Sequence, residues 1–210
     1  MSFEIDHVFI LTAPGAPEAE KLSAIGLMEG SRNVHPSQGT ANRRFFFRNV
    51  MIELLWVADE SEAQSNPLGL HARWAHRGAK SPFGILLRPQ ASAPAPPPFD
   101  SWEYRPAAMP SLVAHIASGL SLDEPFWGYL PNARRQDTAT AMCEPVDHPA
   151  GMKELTAVTP TSPHIDPSSV TSKLLSWTEG SAHRLDLTFD HGAQNRVADL
   201  RPDLLLLLRW

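Results

Sequence analysis

Between Phe3 and Val57 the chain alternates apolar and polar positions with a period of two, interrupted once by a stretch whose apolar residues recur every three to four. Residues 4 to 12, "EIDHVFILT", are rich in β-branched and aromatic side chains and read as a strand. In "APEAEKLSAIGL" Ala19, Leu22 and Ile25 share one helical face, and Gly26 closes the segment. "GSRNVHP", "NRRFFFRN" and "VMIELLWVAD" follow as extended stretches divided by turn residues. The predicted order is β-α-β-β-β.

The order recurs. A second unit starts at "SPFGILLRP", carries the proline-rich "PQASAPAPPPFD" where a helix would stand, and continues with "FDSWEYRP", "PSLVAHIAS" and "EPFWGYLP" as strands. A third starts at "KELTAVTPTSP", passes through a helix candidate "DPSSVTSKLLSW" (166–177), and ends with "HRLDLTFDHG", "NRVADL" and "DLLLLLRW". The expected units are residues 1–60, 79–143 and 150–210, all within one globular domain. The self-similarity, of period roughly 60 to 75 residues, lies in element order and not in matching letters. The fold class expected is α+β. The 20 prolines mark the boundaries, most densely at 89–100 and again at "EPVDHPAG" (144–151).

Charge narrows the partners. With 18 basic against 23 acidic residues the chain has a formal charge of −5, and no Lys/Arg run gathers the basic residues into a patch, so nucleic acid is not an expected partner. "LLLLL" at 204–208 falls far short of the roughly 20 residues that span a bilayer, and "MSFEIDHVFI" has no basic region ahead of an apolar core. A single cysteine, Cys143, cannot form an internal disulfide, which suits a reducing compartment. The expectation is a cytoplasmic protein without membrane contact.

Two residues interrupt apolar strands. His7 sits in "EIDHVFILT" and Glu53 in "VMIELLWV"; burying that carboxylate alone would cost several kcal/mol or force it to protonate. Alternation puts His7 on a face with Ile5, Phe9 and Leu11, and Glu53 on a face with Met51, Leu55 and Val57. Facing one concavity, imidazole and carboxylate would offer N and O ligands to a divalent cation. Between them, "HPSQGTANR" supplies His35, Gln38, Thr40 and Asn42 as hydrogen-bonding side chains, with Gly39 allowing close backbone approach. The loop reads either as a polar turn or as a place to hold a carbonyl, carboxylate or amide. His148 reads either as a linker residue or as a group closing the cleft. No Gly-x-Ser-x-Gly elbow or phosphate-cradling Gly-x-x-x-x-Gly-Lys occurs.

"IDHVFILTA" followed by a helix and then "IELLWV" resembles the first module of the vicinal-oxygen-chelate superfamily, which includes glyoxalase I, extradiol dioxygenases and bleomycin-resistance proteins. "HPSQGTANRRFFF" resembles the stretch before the third strand of its glyoxalase-like domain proteins. The resemblance covers residues 4–58 well, 79–131 less well, and little beyond 150. It implies tandem βαβββ modules forming a curved mixed sheet around a cleft, with a βαβββ-like C-terminal unit added. It also implies His7 and Glu53 as half of a metal site for Zn, Ni, Mn or Fe. The expected other half is missing: "SPFGILLR" has Pro82 or Phe83 where a histidine would stand, and "EPFWGYLP" has an acid, Glu124, only at its edge.

Two functions follow from the resemblance. One is a metal-dependent lyase, isomerase or dioxygenase acting on a small oxygen-chelating molecule, with His35 as the catalytic base. The other is a metal-free binding or sequestering protein. In both, a small molecule would meet Gln38, Thr40, Asn42, Arg43 and His148, and in the second Glu53 pairs with His7 or Arg43. Homodimers are common in the superfamily, while a chain with its own repeated units can close its sheet alone; both assemblies stay open.

Overall fold

Strands form where the alternating aromatic and β-branched runs predict them, and the pairing among them decides which side chains meet. The computed structural model describes residues 3–90, 95–138, 144–163 and 173–210. Cys143 lies outside the described residues. The first series is β1 (Phe3–Leu11), α1 (Ala19–Ala24), β2 (Asn33–His35), β3 (Thr40–Phe46) and β4 (Met51–Val57). Two short helices follow, α2 (Glu60–Ser65) and α3 (Leu70–Ala75). Next come β5 (Phe83–Pro89), β6 (Ser101–Tyr104), β7 (Ala114–Ala117) and β8 (Phe126–Tyr129). The chain ends in β9 (Leu155–Ser162), β10 (Thr178–Glu179), β11 (Arg184–Phe189), β12 (Val197–Asp199) and β13 (Leu206–Arg209).

The protein is α+β, mostly sheet with few helices. Its strands form two mixed sheets, β2-β3-β4-β1-β5-β8-β7-β6 and β10-β9-β11-β13-β12. In the larger sheet β1 runs parallel to β4 and β5 parallel to β8, while β1 and β5 meet antiparallel at the centre. The residues of the second expected unit therefore join those of the first in one sheet. Those of the third do not: they form the separate five-stranded sheet. The helix expected at 166–177 falls partly outside the described residues. Over 173–177 there is no helix; Leu175 bridges to Val158 of β9 instead.

The second sheet covers one face of the first. Ile5, Val8, Ile10, Phe45, Ile52, Leu54, Ile85 and Leu87 from the first pack with Leu155, Val158, Leu187, Phe189, Leu206 and Leu208 from the second, and α1 adds Ala19 and Leu22. Burying an aliphatic or phenyl side chain of this size contributes roughly 1.5–3 kcal/mol. Polar groups stitch the layers: Asn49 Nδ2 donates to Leu155 O at 2.9 Å, and Leu155 N–H donates to Asn49 Oδ1 at 2.8 Å. The opposite face of the large sheet carries a smaller apolar group, Phe9, Leu11, Leu55, Tyr104, Ala114, Ile116 and Phe126, joined by Leu70 of α3.

One expected face assignment is corrected. Ile5 does not lie beside His7, because the β1–β5 register shifts between Ile5 and His7. Asp6 is the extra residue of this bulge, so Ile5 joins Val8 and Ile10 on the inter-sheet side while His7, Phe9 and Leu11 face the other way. Among the described residues no helix is long and apolar enough to cross a membrane.

Candidate functional site

The face of the large sheet turned away from the second sheet lines a cavity of about 180 Å³. Its walls divide by origin. β1 to β4 and the turn before β3 supply the polar groups, His7, His35, Gln38, Asn42, Arg44 and Glu53. β5, β7 and β8 supply Leu86, Ala114, Ile116 and Phe126, and the segment between β6 and β7 adds Pro106, Met109 and Leu112. The result is an apolar chamber with one polar end.

His7 and Glu53 do converge. Nε2 of His7 lies 3.8 Å from Oε2 of Glu53, and both residues are almost wholly removed from solvent. Asn42 Nδ2 donates to Glu53 Oε1, and Asn42 Oδ1 accepts the backbone N–H of Asn33 at 2.8 Å, which fixes the amide. On its far side the His7 ring donates from Nδ1 to Asp6 Oδ2 at 2.8 Å. Asp6 is placed there by the bulge, and it is held in turn by Arg88, whose Nη1 donates to Asp6 Oδ1 at 3.4 Å and to Ile5 O at 2.9 Å. Arg88, acting through Asp6, thus orients the imidazole that faces the cavity.

Burial pushes the His7 pKa down, but the hydrogen bond and charge of Asp6, with the charge of Glu53, outweigh it and the net shift is upward. Stability from this shift is therefore fully present below the ordinary histidine value, about 6.5, and is lost as pH rises through the elevated folded value. Asp6→Asn is expected to remove the main upward influence, so that burial dominates and His7 titrates below 6.5. The imidazole proton resonances followed by NMR across pH read this directly; an unchanged midpoint would show that Asp6 does not set the charge of His7.

The "HPSQGTANR" turn is built as a hydrogen-bonded unit. Gln38 Nε2 donates to Thr40 Oγ1 at 2.8 Å, and that hydroxyl lies 3.0 Å from His35 Nδ1. Thr40 is wholly buried behind His35 and Gln38, and those two line the cavity. Burial holds the His35 pKa below its ordinary value, with the charge of Glu53 opposing and those of His7 and Arg44 reinforcing. Gly39 takes φ +70, and a Cβ there would come within 2.4 Å of Ala63 N and Asp59 O. Its freedom serves close packing against the start of α2 and not the approach of a ligand.

Arg43 and His148 are corrections. Neighbouring residues on a strand point to opposite faces, so Arg43 cannot share the cavity with Asn42. Its guanidinium lies across the sheet, bonded to Glu20 at 2.8 Å, to Glu29, and to Ala16 O at 3.2 Å. The cavity holds Arg44 instead, whose Nε donates to Ser31 O at 2.7 Å. His148 packs 4.6 Å from the Phe47 ring, accepts Met28 N–H at Nδ1 and donates from Nε2 to Phe46 O, a structural role away from the cavity. Burial keeps it below the usual histidine range, as a ring accepting at Nδ1 requires.

The donor set falls short of a metal centre. The 3.8 Å between His7 Nε2 and Glu53 Oε2 is a span that a cation with bonds of about 2.1 Å can bridge. A third protein ligand is lacking: among the described residues no three His, Cys, Asp or Glu side chains converge, and β5 and β8 bring Leu86 and Phe126 to the chamber. Catalytic centres of this kind use three protein ligands, so the residues present do not fit one.

Comparison with known proteins gives the fold. The sequence matches no family model and no curated protein. The structure is similar to that of a hypothetical protein from Staphylococcus aureus, with TM-score 0.56 and 11% identity over 100% of this chain and 98% of that one. It also matches a hypothetical protein from Bacillus halodurans, with TM-score 0.41 and 14% identity over 64% of this chain and 98% of that one. At 11% identity the first likeness shows a shared fold over the whole length, second sheet included, and nothing of activity.

Proposed function

We propose that this chain is a glyoxalase-like protein of the vicinal-oxygen-chelate type, two βαβββ-derived modules joined at β1 and β5, that binds a small amphipathic molecule without a metal. The strand order β2-β3-β4-β1 beside β5-β8-β7-β6 supports the modular reading, as each half places its first strand at the centre and its last strand parallel to it. The observation that carries the binding reading is the divided cavity: an apolar chamber closed at one end by His7, Glu53 and Asn42. Such a space takes an apolar body by desolvation and orients it through few polar contacts.

Titration of the purified protein with 3-phenylpropan-1-ol tests this. Binding in the micromolar to millimolar range is expected for so small a ligand, with loss in Leu86→Trp, whose indole would fill the chamber. Failure of the wild type to bind the alcohol and its amine and carboxylate analogues alike would overturn the cavity reading. The metal-dependent enzyme is favoured instead by the approach of His7 to Glu53, and metal analysis of protein purified without chelator separates the two readings. Stoichiometric Zn, Ni, Mn or Fe lost in both His7→Ala and Glu53→Ala would establish the enzyme-type centre.

A further inference from the structure

Glu53 is a buried carboxylate, 5% exposed, in the wall of an apolar chamber, and one of its oxygens accepts no hydrogen bond. Oε1 accepts the Asn42 amide, while Oε2 receives no hydrogen bond and lies 3.8 Å from His7 Nε2. Three arginines near Glu53 have other partners. Arg43 is bound to Glu20 and Glu29 across the sheet. Arg44 stands directly opposite Glu53 in the β3–β4 register, yet its guanidinium reaches out to Ser31 and lies 3.9 Å from Glu144. Arg88 is taken by Glu4 and Asp6.

Local charge tells the same story. Among the described residues the one cationic side chain paired with Glu53 is His7, whose Nδ1 proton is already given to Asp6. Glu53 thus faces the chamber with no guanidinium or ammonium of its own. A buried charge without a counter-ion is costly, and a bound cation relieves that cost.

From this geometry we infer that the ligand carries a cationic nitrogen: a primary ammonium that donates to Glu53 Oε2 and lies against His7 Nε2, with an aromatic or aliphatic body along Phe9, Leu86, Ile116 and Phe126. The inference rests on the cavity reading above and names the head group that reading leaves open. A carboxylate head would meet Glu53 with like charge, and a hydroxyl would bring it no counter-charge. The tilted pair Phe9 and Phe126, with ring centroids 5.6 Å apart, gives an aryl body two faces to pack on.

Three probes of one size separate the possibilities: 3-phenylpropylamine, 3-phenylpropan-1-ol and 3-phenylpropanoate, titrated calorimetrically into the intact protein with chelator present. At about pH 8 a primary amine, of pKa about 10.4, stays charged. The amine is expected to bind about tenfold tighter than the alcohol, with the acid weakest. Glu53→Gln, which keeps the shape, is expected to weaken the amine about tenfold and so to erase its advantage over the alcohol. An alcohol or acid that binds as well as the amine to the wild type overturns the inference and leaves the cavity reading standing. Equal amine affinity in wild type and Glu53→Gln overturns it as well. If none of the three binds, the cavity reading fails and the inference fails with it.

Discussion

Arg88→Ala is expected to destabilise the protein by about 3–5 kcal/mol, the range for removing one partner of a buried ion pair. The guanidinium is 1% exposed and ties four groups together: Ile5 O at 2.9 Å, Asp6 at 3.4 Å, Glu4 at 2.8 Å and Asn49 O at 2.9 Å. Truncation leaves the buried Asp6 carboxylate, and the partly exposed Glu4, without a guanidinium, and strands two backbone carbonyls. Urea denaturation with an unchanged slope measures it, and a loss below about 1 kcal/mol would show that the bulge does not depend on Arg88. Arg88→Lys is expected to recover only part of the loss, because one ammonium cannot span contacts that the planar guanidinium fork reaches together.

Gly84→Ala is the second large effect, and it acts on binding more than on stability. Phe9 and Gly84 are paired across β1 and β5, and the Phe9 ring folds over the glycine so that an added Cβ would lie 2.0 Å from Cε1. The ring must swing away, at a cost of about 1–3 kcal/mol for overpacking. Phe9 lines the cavity beside Phe126, so its displacement remodels the chamber, and binding of 3-phenylpropan-1-ol is expected to be lost. A stable Gly84→Ala protein that binds as the wild type does would show that Phe9 does not shape the chamber.

Much of the fold was legible because its strands are short runs of aromatic and β-branched residues closed off by proline and glycine. "SPFGILLRP" and "EPFWGYLP" each yield one strand, over 83–89 and 126–129. Alternation placed His7 and Glu53 each on one strand face, and only the family resemblance joined the two faces in one site. What alternation missed, it missed for local reasons. Ile5 changes face because Asp6 is inserted by a bulge, and a bulge leaves no period-two signature. Asp6 itself carried a signal, an acid beside a histidine in an apolar strand, which the reading of His7 passed over. Arg43 and Arg44 were separable by parity with Asn42, since only Arg44 shares its face. The gathering of the third unit into a sheet of its own was not legible, because its strands have the same alternating pattern as those that pair with β1 and β5.

The chamber takes its charged side chains from residues before 60 and most of its apolar wall from residues after 67, with Phe9, Met51 and Leu55 added by the first half. The two sets are joined along the β1–β5 seam, with Leu70 of α3 packed beside Leu55. Substitutions in β7, β8 or the connection from 105 to 113 can therefore alter the length and width of molecule admitted while leaving the chemistry of its head unchanged. Relatives sharing this architecture could diversify their cargo by redrawing one half of the wall, with the other half kept as a fixed reader of charge.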